Sequence, residues 1–516
     1  MKLAVFTYLA IFIFTPPLAW TATNSAILNE INHSLDIWDI KRAKVLINTL
    51  KKDYSENQRV HFLDARLAFM NGSYEAASNL LNNYSPGNSQ LEQFKILVDN
   101  THKVTKNFKM RESQHFQFYF IDKSDEILVH YATKTLEKSY TILGRIFNFY
   151  PEKKIRVEFY PSRESLSKIS PLTMKDIMNS GTVALCKYNR IMALSPASLY
   201  RGYNFMDTLS HEYIHYVITR KSKNTVPLWL HEGLAKFYET RWRESIEPLT
   251  PMMETALARG LKSNYLIELN DMMPSFARLK NVEDVQLAYA QVSSMIDFMS
   301  TMKRETFVSK LIENLAHNDN IELALKNIFG VSLNKFQENW KKFASKKNYH
   351  ELPGLKTLQF QFKNKRNEKK ARKEISSIGS KKVRNLIYLG DILKSRNHLD
   401  AATIEYEKAI EGNETLSPII YNKLASTLML IRNYSKAEPL LHKSLRSYPM
   451  FHTTLVNLGE LYSHYQKPEK SANYFEKAAS LNPFNPLVHI RLIELYKQLG
   501  LKSKKEIQSQ LLKFLE

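Results

Sequence analysis

The sequence predicts a mostly α-helical chain with a small α+β unit in its middle and an α-solenoid at its C-terminal end. Three observations carry this prediction. Glycine is scarce, 14 in 516 residues, which disfavours turn-rich all-β folds. Alternating aromatic and β-branched residues are confined to short runs between about 115 and 195, so little sheet is expected. From residue 385 onward a 34-residue period recurs, and a period of that length marks stacked helical hairpins.

The bulk properties bound the rest. The chain is too long for one core, because single cores stop growing beyond about 250–300 residues. Hydrophobic residues make up 44% and charged residues 24%, the mix of an ordinary folded protein. The net charge of +22 is Lys-rich and spread along the chain. No helix-turn-helix, zinc-finger or RNA-binding aromatic motif accompanies it, so it reads as a solvated basic surface with no nucleic-acid partner. The single cysteine, Cys186, excludes an intramolecular disulfide and a cysteine-based metal site.

The elements follow in order. Lys2, the apolar run Leu3 to Phe14, the break at Pro16-Pro17 and the small residues from Ala19 to Ala22 predict a signal peptide over 1–22. The run is shorter than the about 20 residues of a comfortable membrane span, and an uncleaved anchor is the alternative. Export places the mature chain in the bacterial periplasm or outside the cell. Residues 26–105 read as polar-amphipathic helices, and Leu67, Ala68, Tyr74, Ala77 and Leu81 resemble one half of a helical-hairpin repeat. Strands are expected at 115–121, 155–160 and 190–195, with a long helix over about 125–147 between the first two. Helices are expected again from about 204 to 347.

Residues 352–384 read as a basic linker. From Lys356 to Arg384 there are eleven Lys or Arg against two Glu, a solvated tether or a contact with an anionic membrane surface or an acidic partner. Beyond it, Leu424-Ala425, Leu458-Gly459 and Leu492-Ile493 stand 34 residues apart, as do Leu428, Tyr462 and Tyr496, and Pro449 and Pro483. Small residues at helix contacts with a terminating proline are the tetratricopeptide pattern over 385–516, a scaffold that binds a protein partner.

The chemistry sits in Thr208-Leu-Ser-His-Glu-Tyr-Ile-His-Tyr-Val-Ile218. His211 and His215 are one helical turn apart, so both imidazoles leave one face and can reach one ion. Glu212 stands beside the first, placed to take a proton from water. Catalytic zinc takes three protein ligands, and a second helix, Pro227-Leu-Trp-Leu-His-Glu-Gly-Leu-Ala-Lys-Phe-Tyr-Glu239, returns Glu232 17 positions after His215. Gly233 and Ala235 are small enough for the two helices to pack closely around the ion. His231 is expected on another face, as a non-ligand.

H-E-x-x-H followed at this distance by W-L-x-E-G-x-A-x-x-x-E resembles the gluzincin zinc metallopeptidases, aminopeptidase N and its relatives, over about 115–347. The resemblance implies a zincin-like peptidase domain with one Zn2+ per chain held by His211, His215 and Glu232, and Glu212 as general base. It implies Glu239 as the carboxylate orienting a ligand histidine; Asp207, one helical turn before His211, is a further candidate by its position. Val285 to Met295 resembles the segment that carries an oxyanion-binding tyrosine, which points to Tyr289; Tyr203, Tyr213 and Tyr216 compete. The strand at 190–195 resembles the edge strand on which an extended substrate adds. Aminopeptidases of the clan carry an acid upstream that holds the substrate's free amine, and Gly181-Thr-Val-Ala-Leu-Cys-Lys187 lacks one, which favours an endopeptidase. The expectation is a zinc-dependent peptidase of the cell envelope whose repeats recruit a client. A catalytically weak or inactive scaffold or quality-control factor is the alternative. With the metal site wholly in the middle domain, the repeats are expected to be dispensable for cutting a short peptide.

Overall fold

The computed structural model describes residues 22–82, 89–243, 248–358, 360–363, 375, 378–412 and 416–516. The predicted leader therefore lies outside the described residues but for Ala22, as does most of the basic stretch after Lys363. Among the described residues no helix is long and apolar enough to cross a membrane.

Among the described residues the chain is mostly helical, with one five-stranded sheet and a C-terminal run of helical repeats. It opens with α1 (Ala22–Asp36), α2 (Ile40–Asp53), α3 (Gln58–Met70), α4 (Tyr74–Leu81) and α5 (Ser89–Thr105). Then come β1 (Lys109–Glu112), β2 (Phe116–Phe120), α6 (Glu126–Phe147), β3 (Ile155–Tyr160), α7 (Arg163–Ile169), α8 (Met174–Ser180), β4 (Ala184–Lys187) and β5 (Arg190–Leu194). A helical block follows: α9 (Phe205–Ser222), α10 (Leu228–Tyr238), α11 (Pro251–Lys262), α12 (Val282–Lys303), α13 (Phe307–Asn318), α14 (Ile321–Phe329) and α15 (Leu333–Lys346). The solenoid pairs α16 (Lys381–Ser395) with α17 (Leu399–Glu411), α18 (Pro418–Leu430) with α19 (Tyr434–Ser447), α20 (His452–His464) with α21 (Pro468–Leu481), and α22 (Pro486–Gln498) with α23 (Lys502–Leu512).

The sheet order is β1-β2-β3-β5-β4. β2, β3 and β5 run parallel and β4 turns back antiparallel to β5. All five residues of β5 are buried, as parallel interior strands are. This corrects one expectation: the strand at 190–194 is interior, and the edge is β4. The β4–β5 turn is two residues long, and Tyr188 (φ 55) and Asn189 (φ 61) both take the left-handed conformation that matches the twist of a tight hairpin.

Polar groups tie the first helices to this sheet. Glu158 on β3 is fully buried. It accepts from Tyr160 Oη at 2.5 Å and from Tyr74 Oη of α4, and it pairs with Arg156 and, at 3.1 Å, with Arg190. The Arg190 guanidinium lies 4.7 Å from the Phe69 ring and 4.8 Å from that of Tyr74. Tyr188 packs edge-on against Phe69 with centroids 5.3 Å apart, so the hairpin tip is seated on the α3–α4 turn.

The solenoid is not tethered at a distance. Phe475, Leu481, Val488 and Leu492 belong to the same buried cluster as the sheet and α9. The Tyr203 N–H donates to Leu481 O at 3.2 Å. Gly202 sits at φ +67, and a Cβ there would lie 2.0 Å from Leu481 O, so the loop entering α9 meets the repeats backbone to backbone. The described part of the linker packs too: Tyr200 N–H donates to Gln361 O at 3.0 Å, Lys363 N–H to Ser198 O at 2.8 Å, and Arg163 covers the Phe362 ring at 4.2 Å. A freely solvated tether does not describe 360–363.

Candidate metal centre

α9 carries His211 and His215 on one face, and their rings stand nearly perpendicular with centroids 4.6 Å apart. α9 stops at Ser222, where Lys223 (φ 55) and Asn224 (φ 61) turn left-handed, and Pro227 caps α10. This short reversal returns Glu232 to the histidines. The two Nε2 atoms are 3.1 Å apart, and Glu232 Oε2 lies 3.5 Å from each. Among the described residues this is the one cluster of His, Cys, Asp and Glu suited to a metal, its three donor atoms all within 4.8 Å of one another. The side chains are 13%, 13% and 16% exposed, sunken yet reachable.

The donors fit a cation. Glu232 Oε2 is buried with no hydrogen-bond partner, and a buried carboxylate oxygen without a donor needs a positive charge. His211 Nδ1 lies 2.9 Å from Glu239 Oε2, which places the proton on Nδ1 and the Nε2 lone pair toward Glu232. Burial lowers the His211 pKa, but the Glu232 and Glu239 carboxylates beside it outweigh burial and push it up to about 10. Burial raises Glu232, and the two histidines outweigh it and hold the carboxyl well below its usual range. Two imidazole nitrogens and one carboxylate form a donor set that catalytic zinc takes.

The neighbouring groups divide clearly. Glu212 is 6% exposed; burial raises its pKa against the pull of His215 and His211, and the Cys186 backbone N–H donates to it. Its Oε2 has no partner. Tyr289 comes from α12, packs on Phe276 with centroids 4.8 Å apart, and its hydroxyl is held well above the usual tyrosine range by burial and by the nearby Glu232, Glu212 and Glu239 carboxylates. It gets there because α10 and α12 nearly touch: a Cβ on Gly233 would lie 3.0 Å from Val292 O and 3.1 Å from Ile296 Cγ1. Gly233 thus serves the approach of α12. Lys236 Nζ donates to Glu239 Oε1 at 2.5 Å, fixing the carboxylate behind His211.

The competitors are engaged elsewhere. Tyr203 Oη donates to Leu194 O at 2.6 Å and Tyr216 Oη to Asn189 at 3.1 Å. Tyr213 packs among Phe116 and Tyr140. Asp207 turns away from the histidines to Arg243, to Asn204 and, at 3.0 Å, to Trp242 Nε1. His231 is not on a remote face. Its Nδ1 lies 2.6 Å from His215 Nδ1, a contact the one-residue offset from Glu232 concealed. Cys186 is the other unanticipated participant: it lies on the edge strand β4, and its backbone rather than its thiol reaches the site.

Comparison with known proteins bears on this geometry. Residues 153–346 match the profile of the Peptidase MA superfamily, and 452–485 that of a tetratricopeptide repeat. The middle of the chain is a Peptidase MA superfamily domain, gluzincin-like. Protein YhcO of Bacillus subtilis (strain 168) is 23% identical over 273 residues, 46% of this chain and 73% of its own. Native leukotriene A4 hydrolase from Saccharomyces cerevisiae overlaps 79% of this chain and 67% of its own at 12% identity and a TM-score of 0.32. MamA overlaps 28% of this chain and 82% of its own at 18% identity and a TM-score of 0.24. Overlaps this loose carry no argument about function. The superfamily domain and the repeats establish a peptidase-like unit joined to a protein-interaction scaffold.

Proposed function

We propose that the protein is a zinc-dependent peptidase of the bacterial cell envelope, holding one zinc through His211, His215 and Glu232 and using Glu212 as general base. The observation that carries the reading is the convergence of three donor atoms within 4.8 Å beside a buried carboxylate whose Oε2 has no partner. The bound zinc would supply a Lewis acid that polarises the scissile carbonyl and lowers the pKa of water. Glu212 accepts the attacking water's proton and passes it to the leaving nitrogen. Tyr289 donates its hydroxyl to the oxyanion as it forms. Glu239, braced by Lys236, holds the His211 ring in its ligating tautomer. The outer edge of β4 pairs with an extended substrate. Gly181 to Lys187 carries no acid for a free amine, which favours an endopeptidase. The amino-terminal apolar run and its proline break support export, and the repeats offer the surface that recruits a client.

Metal analysis tests the reading. Purified wild type should carry about one equivalent of zinc, and His215→Ala and Glu232→Ala far less. Equal zinc in all three proteins would remove the site assignment. Zinc bound without cleavage of any peptide, while the repeats capture a partner, would favour the scaffold alternative.

A further inference from the structure

We infer that His231 is a positioning residue that holds His215 in its metal-ligating tautomer. The inference rests on the zinc reading above and extends it to a residue no ligand motif includes. A histidine ligating through Nε2 must keep its proton on Nδ1, and something must accept that proton's hydrogen bond. For His211 the acceptor is Glu239. For His215 the side chain in that place is His231, Nδ1 to Nδ1 at 2.6 Å, with ring centroids 4.6 Å apart and planes inclined by 30°. The far nitrogen of His231, Nε2, lies 3.4 Å from Thr219 Oγ1, one helical turn beyond His215 on α9. The three groups form one directed chain. His215 Nδ1–H donates to His231 Nδ1, and His231 Nε2–H donates to Thr219. In this arrangement His231 is neutral and its Nδ1 lone pair is committed to His215, so it orients a ligand instead of being one.

The two zinc-binding histidines are therefore held differently. An anionic acceptor strengthens the donor power of His211, whereas a neutral imidazole leaves His215 the weaker ligand. Loss of the His231 acceptor strands the Nδ1–H of His215 in the interior, and the ring is then free to seek another orientation. Partners of this kind contribute about 10–100-fold to metal affinity.

The experiment measures the zinc dissociation constant of the full-length protein by competition with a chromophoric chelator. Wild type is compared with His231→Leu, His231→Asn and His231→Gln, and visible spectra are taken of the cobalt-substituted forms. His231→Leu should weaken zinc by about 10–100-fold and shift the cobalt absorption. His231→Asn should restore both, because Asn Oδ1 stands where Nδ1 stood. His231→Gln should not, because its oxygen reaches the Thr219 side. Wild-type affinity and an unchanged cobalt spectrum in His231→Leu would overturn the inference. So would an equal loss in all three variants accompanied by a matching drop in melting temperature, which marks a packing role. If wild type itself binds no zinc, the peptidase reading fails first and the assignment to His231 falls with it.

Discussion

Glu212→Gln separates chemistry from structure at this site. Glu212 is 6% exposed and burial raises its pKa, so the charged form is already disfavoured and a neutral amide fits the same space. The amide oxygen can still accept the Cys186 N–H that donates to the carboxylate. The convergent donors, His211, His215 and Glu232, are untouched. Zinc content and substrate affinity should therefore match wild type, and the melting temperature should stay level or rise slightly. What disappears is the proton acceptor. General acid–base catalysis contributes about 10²–10⁴-fold, which is about 2.7–5.4 kcal/mol of barrier at about 1.36 kcal/mol per decade. The assay is turnover of a quenched fluorescent peptide that wild type cuts, at saturating substrate, with metal content and melting temperature measured on the same samples. Full activity in a zinc-loaded, folded Glu212→Gln protein would refute the general-base role. A fall in activity that tracks lost zinc would show instead that Glu212 acts through the metal's retention.

Three further outcomes are expected. Tyr289→Phe should keep its zinc and lose roughly 10²–10³-fold in kcat if the hydroxyl serves the oxyanion; an unchanged kcat sends the role to another donor. Gly202→Val should unseat the solenoid, since a side chain there meets Leu481 O at 2.0 Å on a left-handed backbone; limited proteolysis between the domains should accelerate, and an unaltered digestion pattern would show that the loop yields. Asp125 is pushed up to about 7 by burial, which the hydrogen bond from Ser195 only partly offsets. A carboxyl with a raised folded-state pKa favours folding at low pH, and that contribution is lost as pH rises from about 4 to about 7. Asp125→Asn, whose amide oxygen can keep the Ser195 bond, should flatten the thermal stability profile across that window. An unaltered slope would assign the decline to other groups.

The sequence and the structure part company where packing rather than periodicity decides. β2, β3, β5 and α6 were legible because Phe116 to Phe120, Ile155 to Tyr160 and the long amphipathic run between them bury a regular face. β1, Lys-Met-Arg-Glu, is exposed at all four positions and β4 is four residues long, so neither carries an apolar alternation to detect. Taking β5 for the edge followed from the invisibility of β4. The close approach of α10 to α12 was hidden in Gly233, whose smallness is visible in sequence while the helix it admits is not. Deleting the repeats is a harsher test of their role in cleavage than the sequence implied. The core of the later repeats, through Phe475, Leu481, Val488 and Leu492, is continuous with that of the peptidase-like domain, and removing 385–516 would expose it, so the Gly202 variant is the gentler probe.

By itself, the sequence determined the helical class, the 34-residue solenoid and the pairing of His211 with His215, because local periodicity dictates which side chains share a face. It also placed Glu232 within reach, since one short reversal between two helices leaves little freedom. Tertiary structure alone decided which histidine is held by Glu239 and which by His231, that β4 borders the site, and that the solenoid is seated on the loop leading into α9. These depend on contacts between elements far apart in the chain, where a shift of an ångström makes or breaks a hydrogen bond.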